Sequence, residues 1–480
     1  MTRTITCSAI LDISGIARGP HRLTLDGGKI TAVEALPPGA PHDDLLVMPT
    51  ISNAHDHARQ VRTSSIGGFS RPLEIWLHRL QLFGPVDPYL AAAAPLGRAA
   101  AGGQGAAMIH YTRPQGLTDY VTEALEVARA AKDVGLRVAF APAMRDANPL
   151  VYGPSEPILA ALPEADRPEI TARFLSPPMG AKEQIDRVDA VADAIGSDMV
   201  DVQYGPNGVH WSTPELIEGI AAASKANGRR VHMHLLETKY QRDWAVKAFP
   251  QGIARYLKDI GLLSERLTLA HCVWASDEDL KIIADSGTTI SVNTSSNLAL
   301  RSGIADVPAM LKAGCKVALG IDGQAFDEDD DILREIRLLW SLQGGWGFDV
   351  EATPADVLKG VLGHGHATLS SPVTGRIEVG APADLLLLDR AMLDEDALMP
   401  VDPLDLFFSR ASARHVAETI VAGRTILRAG RVTGINLDGI QGQLRAALRK
   451  AVAGRATFAG ALPALEKAIV SHFGGEVECC

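Results

Sequence analysis

Residues 267–294, LTLAHCVWASDEDLKIIADSGTTISVNT, run through an apolar strand, a helix and a second apolar strand in one pass. LTLAHCVW and TTISVNT are short and apolar, and DEDLKIIADSG between them has helical period and stops at glycine. The same unit repeats outward in both directions. Upstream lie LLVMPTIS leading to His55, then GAAMIHYT, LRVAFAPAM, MVDVQYGP and RRVHMHLLE; downstream lies KVALGID. Segments such as TDYVTEALEVARAAKDVG and TPELIEGIAAASKANG separate them, each again ending at glycine. Apolar strands separated by helices predict parallel βα units buried on both faces. Eight of them predict an α/β fold, a closed (β/α)8 TIM-like barrel over residues 49–370, with its chemistry at the C-terminal ends of the strands.

The flanks read differently. TITCSAILDI, HRLTLDGGKITAVEAL and LLVMPTIS are strand-like, with a DGG hairpin turn, and comparable material returns in RIEVGAPADLLLLD and AETIVAGRTILRAGRV. Residues 1–48 and 371–435 are therefore expected to form one small composite β-sandwich from both chain ends. Residues 436–480 are expected to supply a C-terminal helix on the exterior and a loosely held tail.

A net charge of -11 argues against nucleic acid or an anionic membrane as partner. The five cysteines, Cys7, Cys272, Cys315, Cys479 and Cys480, are scattered and odd in number, so no disulfide framework is read. Neither a signal peptide nor an apolar run of membrane-spanning length is recognised. The expectation is a cytoplasmic protein, a homo-oligomer, acting on a small molecule.

Four strand ends together carry what one divalent metal needs. His55 and His57 alternate on one side of the first strand's end, His234 ends the fifth strand, His271 the sixth, and Asp322 follows the eighth. Imidazoles and a carboxylate suit a borderline-soft ion such as zinc and leave a place for water. Of the alternating pair His232 and His234, the one nearer the C-terminal end is expected to reach the metal, with His232 filling a layer beneath. Glu237, three residues on, is placed to move a proton between water and a leaving group. His271 closes the sixth strand, placed to polarise the substrate and orient the water, and Asp322 doubles as ligand and base. A second pair, His364-Gly-His366, lies in a helix-like segment and reads as structural. The acidic run from Asp327 to Asp331 precedes a helical segment and reads mainly as solvated capping.

NAHDH, HLLET, AHCVWASDED, SSNLALRSGIADV, IDG and GRIEVGAPADLLLLD together resemble the amidohydrolase superfamily over nearly the whole chain. The specific likeness is to the aminohydrolase branch of methylthioadenosine/S-adenosylhomocysteine deaminases and s-triazine chlorohydrolases. The resemblance implies one zinc or iron held by His55, His57, His234 and Asp322, with Glu237 and His271 handling protons. It implies attack of metal-bound hydroxide on a trigonal carbon and departure of ammonia, an amine or another group.

The chain also departs from that pattern. GPNGVHWST puts Asn207 where a histidine is usual, Asn293-Thr294-Ser295-Ser296-Asn297 lacks a proline, and Asp56 and Arg59 differ from the common HTH form. The HDH form is also similar to phenylurea and thiocarbamate hydrolases, so three readings stand: deamination of a heterocyclic or nucleobase-like compound, hydrolysis of a urea, carbamate or amide C–N bond, or a non-catalytic binding scaffold. Trp76, His110, Arg113, Arg145, Asn207, Trp211 and Asn297 are the candidate pocket walls.

Overall fold

Eight short parallel strands stand in chain order: Ile51–Asn53, Gln104–Tyr111, Arg137–Met144, Val200–Val202 with Gly205–Pro206, Val231–Leu235, Leu267–His271, Thr289–Val292 and Lys316–Leu319. The computed structural model describes residues 2–323 and 328–474. Each strand pairs in parallel with the next, as in Ala107↔Val138, Phe140↔Val202, Val231↔Leu267, Leu269↔Ile290 and Ile290↔Val317. Parallel bridges Tyr204↔Val231 and Gly208↔His234 join the fourth strand to the fifth. The last strand meets the first: Ala54 N donates to Leu319 O at 2.8 Å, and Asp322 N to His55 O at 2.9 Å. Nearly every strand residue is buried, as unalternating apolar runs require when both faces are covered.

Helices return the chain between strands, and their caps explain their limits. Tyr120–Val134 starts under the Asp119 side chain, which accepts from Thr122 N, and stops at left-handed Gly135, φ 89°. Pro214–Asn227 is capped by Thr213 and ends at Gly228. Asp277–Ser286 has a reciprocal capping box between Ser276 and Asp279 and ends at Gly287. The fold is α/β.

The apolar run LLVMPTIS divides at Thr50. Leu45–Pro49 joins a six-stranded sheet in the order Arg431–Val432, Arg424–Arg428, Val416–Val421, Leu385–Asp389, Leu45–Pro49, Ala9–Ile10. Leu385 pairs with Pro49 and Leu388 with Leu46, so the returning segment lies directly against the early one. A three-stranded sheet of Arg3–Cys7, His21–Asp26 and Lys29–Ala35 turns at Gly27 and Gly28. Its Ile5, Leu23, Leu25 and Ile30 bury themselves against Val47, Leu385, Leu387 and Ile420 of the larger sheet.

Glu418 ties the chain ends together. It accepts from Arg3 Nη2 at 2.6 Å, Arg428 Nη2 at 2.8 Å and Thr425 Oγ1 at 2.5 Å. Burial pushes its pKa up, but these donors outweigh that and hold it at about 2, below the ordinary 4.5. A depressed carboxylate stabilises the fold fully above the unfolded value and loses that contribution as pH falls toward the folded one. Arg3 and Arg428 side chains are 33% and 59% exposed, so screening reduces the effect to about 1–2 kcal/mol. Glu418→Gln should therefore unfold earlier in urea at pH 6, and the gap from the parent should narrow as pH drops below about 4.5. An unchanged gap at low pH would remove this account.

Residues 436–474 correct one expectation. They form two helices, Leu437–Ala453 and Ala456–Phe473, where a single exterior helix is expected from the sequence. Phe458, Leu462, Leu465 and Ile469 pack on Leu150, Tyr152, Ile158 and Ile170, and Glu466 pairs with Arg79 at 2.7 Å. The GGEVECC tail expectation, with Cys479 and Cys480, falls on residues 475–480, outside the described residues. Cys7, Cys272 and Cys315 are buried free thiols. Among the described residues no helix is long and apolar enough to cross a membrane.

Candidate metal centre and active site

The ends of the first, fifth, sixth and eighth strands bring imidazole Nε2 atoms and one carboxylate to a common point. His55 Nε2 and His57 Nε2 each lie 3.1 Å from Asp322 Oδ1. His234 Nε2 is 3.2 Å from His57 Nε2. Ligand atoms of His55, His234, His271 and Asp322 all fall within 4.8 Å of one another. Every one of these side chains is buried or nearly so.

The opposite ring nitrogens show why all four Nε2 atoms point inward. His57 Nδ1 lies 2.8 Å from His110 O, and His234 Nδ1 lies 2.7 Å from Asn207 O. Carbonyls only accept, so both Nδ1 atoms carry the proton and both Nε2 atoms keep a lone pair. His271 Nδ1 is held by Asn297 Oδ1 at 2.8 Å, and His55 Nδ1 by His232 Nε2 at 2.7 Å. Burial pushes the His55 and His57 pKa values down, keeping the rings neutral. Asp322 Oδ1 faces the Nε2 atoms of His55 and His57 at 3.1 Å, so electron pairs of several groups converge where a cation would sit.

A cation fits this arrangement. His55 Nε2, His271 Nε2 and Asp322 Oδ1 are buried without a hydrogen-bond partner, a cost of about 1–3 kcal/mol each if left so. Neutral imidazoles and an ionised carboxylate are also the protonation states that metal binding requires. The backbone is strained at the same place: His271 and Asp322 take φ of 76° and 60°, a region non-glycine residues seldom adopt.

Glu237 lies over this point. Its Oε2 is 3.7 Å from His271 Nε2, and its backbone N donates to Gln241 Oε1 at 2.6 Å. Burial, with Asp322 and Glu74 nearby, pushes its pKa well up. His57, His234, Glu237 and Asp322 open into one cavity.

Of the expected walls, Trp76, Arg113, Arg145, Asn207 and Trp211 do line that cavity. Trp76 belongs to the helix Leu73–Arg79 and also packs into an apolar cluster with Leu73 and Phe83. His110 and Asn297 lie elsewhere. His110 sits behind the site, its Nε2 on Gly205 O at 3.1 Å, and Asn297 orients His271 rather than facing the cavity.

Three residues emerge that the strand pattern alone does not mark. His232, expected as filler, is the hydrogen-bond partner of His55; its alternation with His234 is the signal. Ser296 Oγ donates to Asp322 Oδ2 at 2.5 Å. Arg59, two residues past His57, lines the cavity beside Trp76. The HGH pair is anchored to backbone, His364 Nδ1 on Val317 O and His366 Nε2 on Thr50 O. Within the acidic run, Asp331 caps the helix Ile332–Gln343, whereas Asp330 is buried and paired with Arg98 at 2.7 Å, not solvated. Asp327 lies outside the described residues.

The model of the amidohydrolase family matches residues 46–426, and the chain belongs to that family. In sequence it is 31% identical over 243 residues to the 5-methylthioadenosine/S-adenosylhomocysteine deaminase of Nitratidesulfovibrio vulgaris, covering 50% of this chain and 54% of that one. It is 28% identical over 444 residues to the 5'-deoxyadenosine deaminase of Methanothermobacter thermautotrophicus, 89% of this chain and 93% of the relative. The chain thus spans about half the length of the first relative and nearly all of the second. In fold it is similar to a zinc-bound adenosine deaminase from Xanthomonas campestris, with TM-score 0.75, 21% identity, and 93% and 98% of the two chains covered. Atrazine chlorohydrolase from Arthrobacter aurescens superposes with TM-score 0.72 at 20% identity, covering 93% and 99%.

Proposed function

We propose that this chain is a mononuclear metal-dependent aminohydrolase that replaces an exocyclic amino group of a heterocyclic or nucleobase-like compound with oxygen from water. The observation that carries the reading is the convergence of three Nε2 lone pairs and Asp322 Oδ1 on one point, with Glu237 beside it. The strand order and the bonds from Leu319 to Ala54 and from Asp322 to His55 support a closed (β/α)8 barrel. The apolar layer between the three- and six-stranded sheets supports a composite β-sandwich built from both chain ends.

His55, His57, His234 and Asp322 would hold the ion, with zinc suited to such N/O donors. When bound, a zinc ion supplies Lewis acidity and lowers the pKa of water to about 7. Glu237, made a stronger base by its burial, takes the proton of the attacking water as a carboxylate and then delivers it to the departing nitrogen. His271, fixed by Asn297, presents Nε2 toward the same point and orients the attack. Ser296 donates to Asp322 and keeps its second oxygen occupied.

The relatives named as deaminases support ammonia as the leaving group. Incubating the zinc-loaded protein with amino-heterocycles, aryl ureas and amides, and assaying ammonia against substituted amines, tests it. Ammonia from amino-heterocycles alone is expected; amine release from ureas alone would replace this reading with C–N hydrolysis of acyclic substrates.

His232 gives a further expectation. Substituting phenylalanine removes the acceptor that fixes the His55 tautomer, so metal affinity in a chelator competition should fall by about 10–100-fold. His232→Gln, which restores an acceptor, should recover part of it. Equal affinities in all three proteins would reduce His232 to packing.

A further inference from the structure

One side of the cavity is cationic in a way the proposed reaction does not use. Arg59 is 7% exposed, its guanidinium lies 4.7 Å above the Trp76 ring, and its Nε is buried with no hydrogen-bond partner. Burial lowers its pKa, and Asp322, Asp56 and Glu237 offset this only from beyond ion-pair contact. Arg113 gives one hydrogen bond, from Nη2 to Phe83 O at 2.8 Å, and faces the Phe83 ring at 5.4 Å. Its pKa is pushed down to about 9 by burial and then by Arg59 itself, so the two guanidinium groups repel each other. Both line the same cavity as His57 and Glu237.

Three arginines elsewhere in the fold are paired with carboxylates, whereas Arg145, in the same cavity, gives its side-chain hydrogen bonds to the carbonyls of Asn148 and Pro149. Arg98 pairs with Asp330 at 2.7 Å, Arg137 with Asp384 at 2.7 Å and Arg242 with Asp279 at 2.6 Å. Arg59 and Arg113 have no carboxylate in ion-pair contact among the described residues. Guanidinium groups lining one cavity with no carboxylate in ion-pair contact are costly to desolvate unless something anionic joins them. Guanidinium forks suit planar or tetrahedral oxyanions because they donate two parallel hydrogen bonds.

We propose that Arg59 and Arg113 form a subsite for an oxyanion substituent, carboxylate or phosphoryl, carried by the same molecule whose carbon is attacked at the metal centre. The substrate is then an anionic amino-heterocycle. Trp76 holds the Arg59 plane in place, and Arg113 closes the far side. This rests on the aminohydrolase reading for the chemistry, but the subsite itself is measurable without turnover.

The test is calorimetric titration of the zinc-loaded protein with benzoate, phenylphosphonate and neutral benzamide, with zinc content checked for every variant. An anion should bind at least about tenfold tighter than benzamide. Arg113→Gln should abolish that preference while benzamide affinity and zinc content stay the same, and Arg113→Lys should retain part of it. Benzoate against phenylphosphonate tells the carboxylate subsite from the phosphoryl one. Equal binding of benzamide and both anions overturns the proposal. So does an anion preference that survives in both Arg113→Gln and Arg59→Gln, because the anion then sits on the metal. Loss of preference in Arg113→Gln, in a protein that releases ammonia from nothing, keeps the subsite and sinks the aminohydrolase reading instead.

Discussion

His234→Ala is expected to lose metal and turnover together. His234 is the fifth strand's contribution to the common point, its Nε2 3.2 Å from that of His57 and its Nδ1 fixed on Asn207 O at 2.7 Å. Alanine leaves His55, His57 and Asp322 with a gap on one side, and His271, whose Nε2 faces the same point, is held in its orienting place by Asn297. His232 points Nε2 at His55 instead. Metal content by elemental analysis should fall below about 0.1 ion per chain after dialysis, and turnover by about 10³-fold or more. The fold should survive, because His234 contributes little apolar packing and the strand ladder from Val231 to Leu235 is backbone-held. A metal-free variant that still turns over would end the ligand assignment.

Glu237→Gln separates proton transfer from metal binding. The substitution keeps size and hydrogen-bonding capacity but cannot accept and return a proton. Glu237 is not among the four residues proposed to hold the ion, so zinc content should match the parent. Turnover at saturating substrate should drop by roughly 10²–10⁴, the usual worth of general acid–base catalysis. Burial and the nearby Asp322 raise the Glu237 pKa, which strengthens it as the base for water and leaves a carboxyl able to return the proton to the departing nitrogen. Unchanged turnover with full zinc would transfer the proton-handling role to Asp322.

Much of this architecture is legible in the chain. The eight parallel strands fall on the apolar runs read from sequence, because strands covered on both faces cannot alternate and leave a continuous signature. Their C-terminal ends carry His55, His57, His234, His271 and Asp322 together. The run LLVMPTIS divides at Thr50, slightly past the 48/49 limit expected from sequence, because Pro49 still pairs with Leu385. The helix Ala456–Phe473 carries Gly460 and Pro463, residue types that disfavour a helix interior, while Phe458, Leu462, Leu465 and Ile469 keep helical spacing. His110 ends the second strand but turns its Nε2 to Gly205 O, and Asn297, in the helix after the seventh strand, turns to His271. Direction of a side chain at a loop start depends on neighbouring strands, which no local pattern contains. Asp330 misled for a similar reason, since Arg98, its partner, is 232 residues away.

The central claim is most directly tested by diffraction from zinc-loaded crystals at the zinc absorption edge. The account predicts one anomalous peak per chain, about 2.0–2.2 Å from Nε2 of His55, His57 and His234 and from an oxygen of Asp322. A peak elsewhere, two peaks at the strand ends, or none with zinc in excess would contradict it.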